Sequence, residues 1–324
     1  MRYIIYGAGG IGSIMGGHLL RTRHEAVLIG RPGHVEAIRA RGLRLITPTE
    51  TYIVPIPAYT DPAEVDFRPD DVVCLCMKGQ DTADAVETLK KYVDDVPVVC
   101  FQNGVRNEET VSARFPRTYG AMVRVGAVYL DDGEVIARRD PPGWYIIGRY
   151  PARTDPFAEE MAQDLRDAGY FVRTAEDVMP YKWGKLMTNL GNAIGAISNG
   201  SWAETDFIYK AVAAEAEAVV ARAGIKVISQ QAVAESWPEI TAPLRGELKT
   251  EAQSSTWQSL TRRQGHVETE FLNGEIVRQA KKVGMTAPLN EKLVEIALQM
   301  AKEGKRPGAY PPAKLGEMLG ITKP

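Results

Sequence analysis

A glycine-rich turn set between an apolar run and a helical one restricts this chain more than any other stretch. Tyr3-Ile4-Ile5-Tyr6 leads directly into Gly7-Ala8-Gly9-Gly10-Ile11-Gly12, a GxGxxG spacing, and a helical pattern follows from Ile11 to Leu20. Gly7 permits a tight turn off the strand, Gly9 lets backbone approach a pyrophosphate with no Cβ in the way, and Gly12 lets the helix pack closely on the sheet. The helix N-terminus offers open N–H groups and the positive end of its dipole to an anion. Gly7, Ala8, Gly9, Gly10, Ile11 and Gly12 are therefore candidate dinucleotide-binding residues. A second apolar run ends at Ile29, and just beyond it, where a carboxylate would bind an adenosine ribose 2′-hydroxyl, the chain has Gly30 and Arg31. A guanidinium fork suits a 2′-phosphate instead, so the expected cofactor is NADP(H).

Apolar runs recur at Ala26–Ile29, Val72–Met77, Val98–Phe101 and Tyr119–Val125, with helical patterns such as Thr82–Tyr92 and Asn107–Phe115 between some of them. This alternation predicts an α/β Rossmann-type domain built on a doubly wound parallel sheet. Short β segments return from Gly133 to Gly148, Tyr170-Phe171-Val172 reads as a last strand, and after Pro180 the pattern is almost wholly helical. The expected organisation is residues 1–179 as the dinucleotide-binding domain and 180–324 as an all-α domain, its tail from Lys305 loosely docked. A chain of 324 residues suits two domains. With 39 basic and 41 acidic residues, it carries no bulk attraction to nucleic acid or to an anionic membrane. The strand that opens the chain lacks the features of a secretory signal, so a cytoplasmic address is expected.

The helix opening at Pro180 carries a second signal. No charged residue occurs from Leu186 to Ala203, which predicts a buried segment. Trp183, Met187, Leu190, Ile194 and Ile197 share one side at helical spacing, and Lys185, Thr188, Asn189 and Asn192 form a polar stripe. Short amides with one lysine describe either the wall of a polar cavity or a surface lysine followed by asparagines paired with backbone. Glu268 stands one turn before the core-face residues Leu272, Ile276, Ala280 and Val283, where it points into a site or complements a helix dipole.

The other conspicuous residues call for packing. Cys74, Cys76 and Cys100 read as small buried hydrophobes, the four histidines have no metal-ligand spacing, and Trp202, Trp237 and Trp257 are expected to pack.

Taken together, Gly7–Gly12, Arg31 with Gly33-His34, Met77-Lys78, Phe101-Gln102-Asn103-Gly104, Lys182-Trp183-Gly184-Lys185-Leu186 with Asn189, Ser254-Ser255 with Gln258, and Glu268 with Leu272-Asn273-Gly274 resemble the ketopantoate reductase family, in that family's order and over nearly the whole length. The resemblance implies NADPH-dependent reduction of a 2-oxo acid to a 2-hydroxy acid, with ketopantoate giving pantoate in pantothenate biosynthesis as the leading reaction. It implies Lys185 as the catalytic lysine and Glu268 as the acidic residue that orients substrate and cofactor. Lys78 and Asn103 match residues near the nicotinamide and its ribose, Asn189 a substrate amide, and Ser255 a contact to the substrate carboxylate. An ammonium suits the chemistry, because negative charge grows on the carbonyl oxygen as hydride arrives.

Two departures bear on the substrate. Ala193 stands where the family usually repeats an asparagine, with Asn192 one residue early, and Ala252 stands where another amide is common. A one-residue shift on a helix turns a side chain by about 100°, so Asn192 is no direct substitute. A related 2-hydroxy acid or opine-type dehydrogenase with a different oxo acid is therefore an alternative, and a non-catalytic NADPH-binding protein is another. A homodimer surface on the helical half is also compatible with the sequence.

Overall fold

Strand β1 (Arg2–Tyr6) has its inner residues fully buried because both of its faces are covered. Tyr3 and Ile5 join one apolar cluster with Ile14, Met15 and Leu19, while Ile4 joins another with Val86, Leu89 and Val111. A strand packed on both sides must read as a continuous apolar run, as this one does.

The computed structural model describes residues 1–322. The further strands are β2 (Glu25–Ile29), β3 (Leu43–Ile46), β4 (Thr51–Val54), β5 (Ala58–Tyr59), β6 (Asp71–Leu75), β7 (Val98–Cys100), β8 (Thr118–Val125), β9 (Ala127–Val128), β10 (Glu134–Ala137), β11 (Arg139–Asp140), β12 (Gly143–Tyr150), β13 (Phe171–Thr174) and β14 (Gly246–Glu247). The helices are α1 (Gly10–Arg21), α2 (Pro32–Arg41), α3 (Thr82–Leu89), α4 (Asn107–Ser112), α5 (Pro156–Asp167), α6 (Met179–Asn189), α7 (Gly191–Ser198), α8 (Trp202–Arg222), α9 (Gln230–Ser236), α10 (Ser255–Thr261), α11 (Asn273–Lys282), α12 (Pro288–Lys302) and α13 (Pro312–Met318).

Two compact units result. The first comprises Met1–Lys182 with Gln231–Lys249; the second comprises Trp183–Gln230 with residues 250–322. The first is built on an eight-stranded sheet of order β13-β12-β8-β7-β6-β1-β2-β5. From β5 to β8 every pairing is parallel, whereas β12 runs antiparallel to β8. The sheet is thus mixed rather than wholly parallel: antiparallel neighbours need no helical crossover, and only short β segments lie between β8 and β12. A small sheet of order β4-β3-β10-β9 adds Leu43, Leu45 and Val135 to the first cluster. At the N-terminal ends of β1 and β6, Arg2 grips Asp71 with Nε to Oδ1 and Nη2 to Oδ2, each at 2.7 Å, and both side chains are buried.

Sequence reading assigns residues 231–249 to the helical half, but they pack in the first unit. Trp237 meets Trp144 edge-on at 5.7 Å, and β14 pairs with β11. Both contacts are long-range and have no local signal.

In the second unit the described residues form helices and turns only. The 21-residue α8 buries Ile208, Val212, Ala216 and Val219, and α11, α12 and α13 pack against it. The tail is better docked than expected: Gly308 N donates to Ala196 O (3.1 Å), Tyr310 N donates to Ile197 O (3.2 Å), and Leu315 is fully buried. Trp202, expected to pack, is 61% exposed and only leans on Tyr209, because it opens α8 at the surface. Among the described residues, no helix is long and apolar enough to cross a membrane.

Candidate active site

In the first unit, the sheet decides where the candidate cofactor residues meet. Gly7 follows β1, Arg31 follows β2, Lys78 follows β6 and Asn103 follows β7, and these four strands are adjacent and parallel. Their carboxyl ends therefore lie along one edge. The order reverses between β1 and β6, and such a switch point is where open α/β sheets form a ligand crevice.

The glycine turn is fitted to that edge. Gly7 has φ +104°, and its N–H and that of Ala8 both donate to Ile29 O at 2.9 Å. A Cβ on Gly12 would lie 2.7 Å from Gly7 O and 2.8 Å from Ile5 Cγ2, so only glycine allows α1 to pack this closely. Gly9 differs, since a Cβ there would meet nothing within 4 Å. The first helical amide is Ser13 N, which donates to Gly9 O at 2.9 Å; the preceding amides of Gly10, Ile11 and Gly12 are the open donors of the helix start. Arg31 is exposed and opens α2 as its N-cap residue. Lys78 and Asn103 are half-buried on their loops.

His34, which sequence reading leaves without a role, ties these elements together. Its Nδ1 accepts from Gly133 N (2.9 Å), so in the neutral ring the proton sits on Nε2, 3.1 Å from Ser13 Oγ. This fully buried contact fixes the start of α2, and hence Arg31, against α1.

A second group missed in the sequence surrounds Asn103. Asn107 Nδ2 donates to Asn103 O (2.8 Å), Thr82 Oγ1 donates to Asn107 Oδ1 (3.0 Å), and Gln102 Nε2 donates to Thr82 Oγ1 (2.7 Å). Lys182 Nζ donates to Gln102 O (3.1 Å) and to Glu108 Oε1. Lys182 belongs to a motif already singled out, but its partner is remote in sequence.

In the second unit, Lys185 is half-buried and Asn189 is buried on α6. Gly184 beside Lys185 has a packing reason, because a Cβ there would collide with the Ile228 carbonyl. The helical stretch breaks at Leu190, and Asn273 Nδ2 donates to the Leu190 carbonyl (3.3 Å) at that break. Asn192 follows on α7, where its carbonyl accepts from Ser254 Oγ (3.3 Å). Ser254 also caps α10, accepting from Trp257 N, so Ser255 is held at the first turn of that helix. Ser255 Oγ is buried with no hydrogen-bond partner. Glu268 is 4% exposed, but it does not continue the helix of Ile276 and Ala280. It lies on a separate 3₁₀ turn, Glu268–Phe271, because Leu272 (φ −111°, ψ −89°) leaves helical geometry before α11 starts. Ser254 thus ties the start of α10, and Asn273 the start of α11, to the α6–α7 junction that carries Asn189 and Asn192.

The cysteines are poor chemical candidates. Burial pushes the Cys74, Cys76 and Cys100 thiols well above their ordinary range, which keeps them neutral.

Comparison with known proteins places both halves. The family model described as ketopantoate reductase PanE/ApbA matches residues 3–152, and its C-terminal counterpart matches residues 177–301. The chain is 33% identical to a 2-dehydropantoate 2-reductase of Pyrococcus horikoshii, over 94% of this chain and 98% of that one. It is 27% identical to the enzyme of the same name from Archaeoglobus fulgidus, over 91% and 96%. Among solved structures, a PanE/ApbA family ketopantoate reductase from Ralstonia eutropha JMP134 superposes with a TM-score of 0.77 at 30% identity, covering 94% of this chain and 99% of that one. A D-mandelate dehydrogenase with NADH and anilino(oxo)acetate gives 0.78 at 20% identity with the same coverage, a likeness of fold.

Proposed function

Because the chain belongs to the ketopantoate reductase family, and so to the oxidoreductases acting on CH–OH groups, we propose that it reduces 2-dehydropantoate to pantoate with NADPH. One observation carries this reading furthest: the loops after four adjacent parallel strands bring Gly7–Gly12, Arg31, Lys78 and Asn103 to one edge of the sheet.

The residues present fit the dinucleotide. Gly7 and Gly12 have no room for a Cβ, Gly9 leaves open space where a pyrophosphate would approach, and the amides of Gly10–Gly12 are donors for it. Arg31 would take the 2′-phosphate, and Lys78 and Asn103 the nicotinamide end with its ribose. The reduced nicotinamide, when bound, supplies the hydride.

The chain itself must then bind the oxo acid, stabilise charge on its carbonyl oxygen and deliver one proton. Lys185 Nζ, as an ammonium, donates that proton to the oxygen, is left as the neutral amine and regains a proton from solvent before the next turnover. Its half-buried position on α6 strengthens its field at the oxygen relative to bulk water. Ser255 hydroxyl and the Asn189 and Asn192 amides bind the substrate, with Ser255 on the carboxylate, and Glu268 orients the reacting groups.

The test measures loss of reduced-nicotinamide absorbance with ketopantoate. Wild type is expected to turn over, and Lys185→Ala is expected to lose turnover while still binding NADPH. Ala193 and Ala252 favour a second reading, a related 2-hydroxy acid dehydrogenase acting on a different oxo acid, because both present buried methyl groups where the family has amides. Idle behaviour with ketopantoate and rapid turnover of a bulkier oxo acid would select that reading.

A further inference from the structure

Asn103 stands on an irregular loop between β7 and α4, and buried side chains hold the peptide groups on both sides of it. Gln102 O accepts from Lys182 Nζ (3.1 Å), and Asn103 O accepts from Asn107 Nδ2 (2.8 Å). The second contact is closed into a circuit by Thr82, which links the Gln102 and Asn107 side chains. The first depends on an ion pair: Lys182 is 3% exposed, Glu108 is fully buried, and the ammonium is bonded to Glu108 Oε1. Room for the carboxylate comes from Gly120 on β8, where a Cβ would lie 3.0 Å from Glu108 Oε1.

Stability alone does not explain such a pair. Desolvating two charges offsets most of their attraction, and an apolar pair of similar volume is often as stable or more so. Glu108 Oε2 is buried without a partner, a further cost that apolar packing would avoid. The pair does supply a donor fixed beneath Gln102 O, which an apolar pair cannot do.

We propose that Lys182 and Glu108 are positioning residues that lock the Gln102–Asn103 peptide, and with it the Asn103 side chain, in the geometry that receives the nicotinamide end of NADPH. This rests on the assignment of Asn103 made under the proposed function. Both act through the loop, by way of the Gln102 carbonyl, so their effect is confined to what Asn103 does.

The experiment is a double-mutant cycle between the pair and Asn103, read as NADPH affinity by nicotinamide fluorescence and as melting temperature. Lys182→Met/Glu108→Leu replaces the ion pair by apolar side chains, and Lys182→Met alone is the harsher control that strands the carboxylate. The paired replacement is expected to melt close to wild type, to weaken NADPH by about tenfold, and to leave affinity for 2′,5′-ADP, which lacks the nicotinamide, unchanged. In an Asn103→Ala background it should add little, because the effect already runs through that residue. Wild-type NADPH affinity in a folded paired variant, or a full additional loss in the Asn103→Ala background, overturns the proposal. So does failure of both the single and the paired variant to fold, since the pair would then be holding the structure rather than the loop. Failure of the underlying reading looks different: Asn103→Ala by itself would leave NADPH affinity intact.

Discussion

Gly7 and Cys76 leave no space for a methyl group between them: a Cβ on Gly7 would lie 2.7 Å from the Cys76 carbonyl carbon, where the loops after β1 and β6 meet. Gly7 also holds φ +104°, a conformation that side chains resist. Gly7→Ala is therefore expected to lower stability by roughly 1–3 kcal/mol as well as to impair NADPH binding. Gly9→Ala should behave differently, since that position has an ordinary φ of −97° and empty space around it. Its melting temperature should match wild type while its NADPH affinity falls by about tenfold or more. Calorimetry and a fluorescence titration on the two variants separate a glycine that the fold needs from one that the ligand needs.

Arg31 is exposed just beyond β2, and the proposed function has it take the 2′-phosphate of NADPH. A hydrogen bond to a charged group contributes about 1.5–3 kcal/mol. Arg31→Ala should thus lower kcat/KM for NADPH roughly ten- to a hundredfold and leave that for NADH nearly unchanged. Equal losses with both cofactors would show that Arg31 does not read the 2′-phosphate.

What the sequence made legible follows from how local each signal is. The β1–turn–α1 unit could be read because its pattern, an apolar run followed at once by the glycine spacing and a helical period, lies within one short stretch from Tyr3 to Leu20. The break at Leu190 has only a weak local mark in Gly191, and its carbonyl is received by Asn273 from far along the chain. Glu268 was misplaced on the helix of Ile276 for the same reason: Leu272 departs from helical angles without a residue type that announces it. The polar stripe of Lys185, Thr188, Asn189 and Asn192, which the fold divides between α6 and α7, is visible in the sequence, but the polar circuit under Asn103 is not, because Thr82, the Gln102–Asn107 connection and Lys182 come from three separate stretches of chain. Candidate residues could be named individually; the groups that hold them in place required the fold.

His18 supplies a pH dependence of stability. It is 8% exposed on α1 with its ring against Tyr170, and burial, with help from Arg21, pushes it down to about 4 from an ordinary 6.5. Its folded-state value lies below the unfolded one, so between these limits the unfolded chain binds more protons and stability rises with pH. The neutral ring's contribution is full above about pH 6.5 and is lost on acidification toward pH 4, to the extent of about 3 kcal/mol. His18→Phe keeps an aromatic ring but cannot be protonated, and should flatten this part of the profile. Denaturant midpoints of both proteins across that range provide the check; parallel slopes would remove His18 as the cause.

Ser255 offers a way to separate binding from folding in the second unit. Its hydroxyl is buried without a partner, whereas its neighbour Ser254 caps α10 and donates to Asn192 O. Deleting an unsatisfied buried hydroxyl removes a desolvation penalty rather than a bond, so Ser255→Ala should leave the melting temperature unchanged or slightly raised. A cap, by contrast, is typically worth about 1 kcal/mol, and Ser254→Ala should lower it. If Ser255 receives the substrate carboxylate, its loss removes a charge-assisted hydrogen bond of about 1.5–3 kcal/mol, raising KM for the oxo acid about tenfold or more with the KM for NADPH unaltered. Steady-state kinetics on the two serine variants decide the matter, because unchanged KM for the oxo acid in a fully stable Ser255→Ala protein would leave that hydroxyl with no ligand to serve.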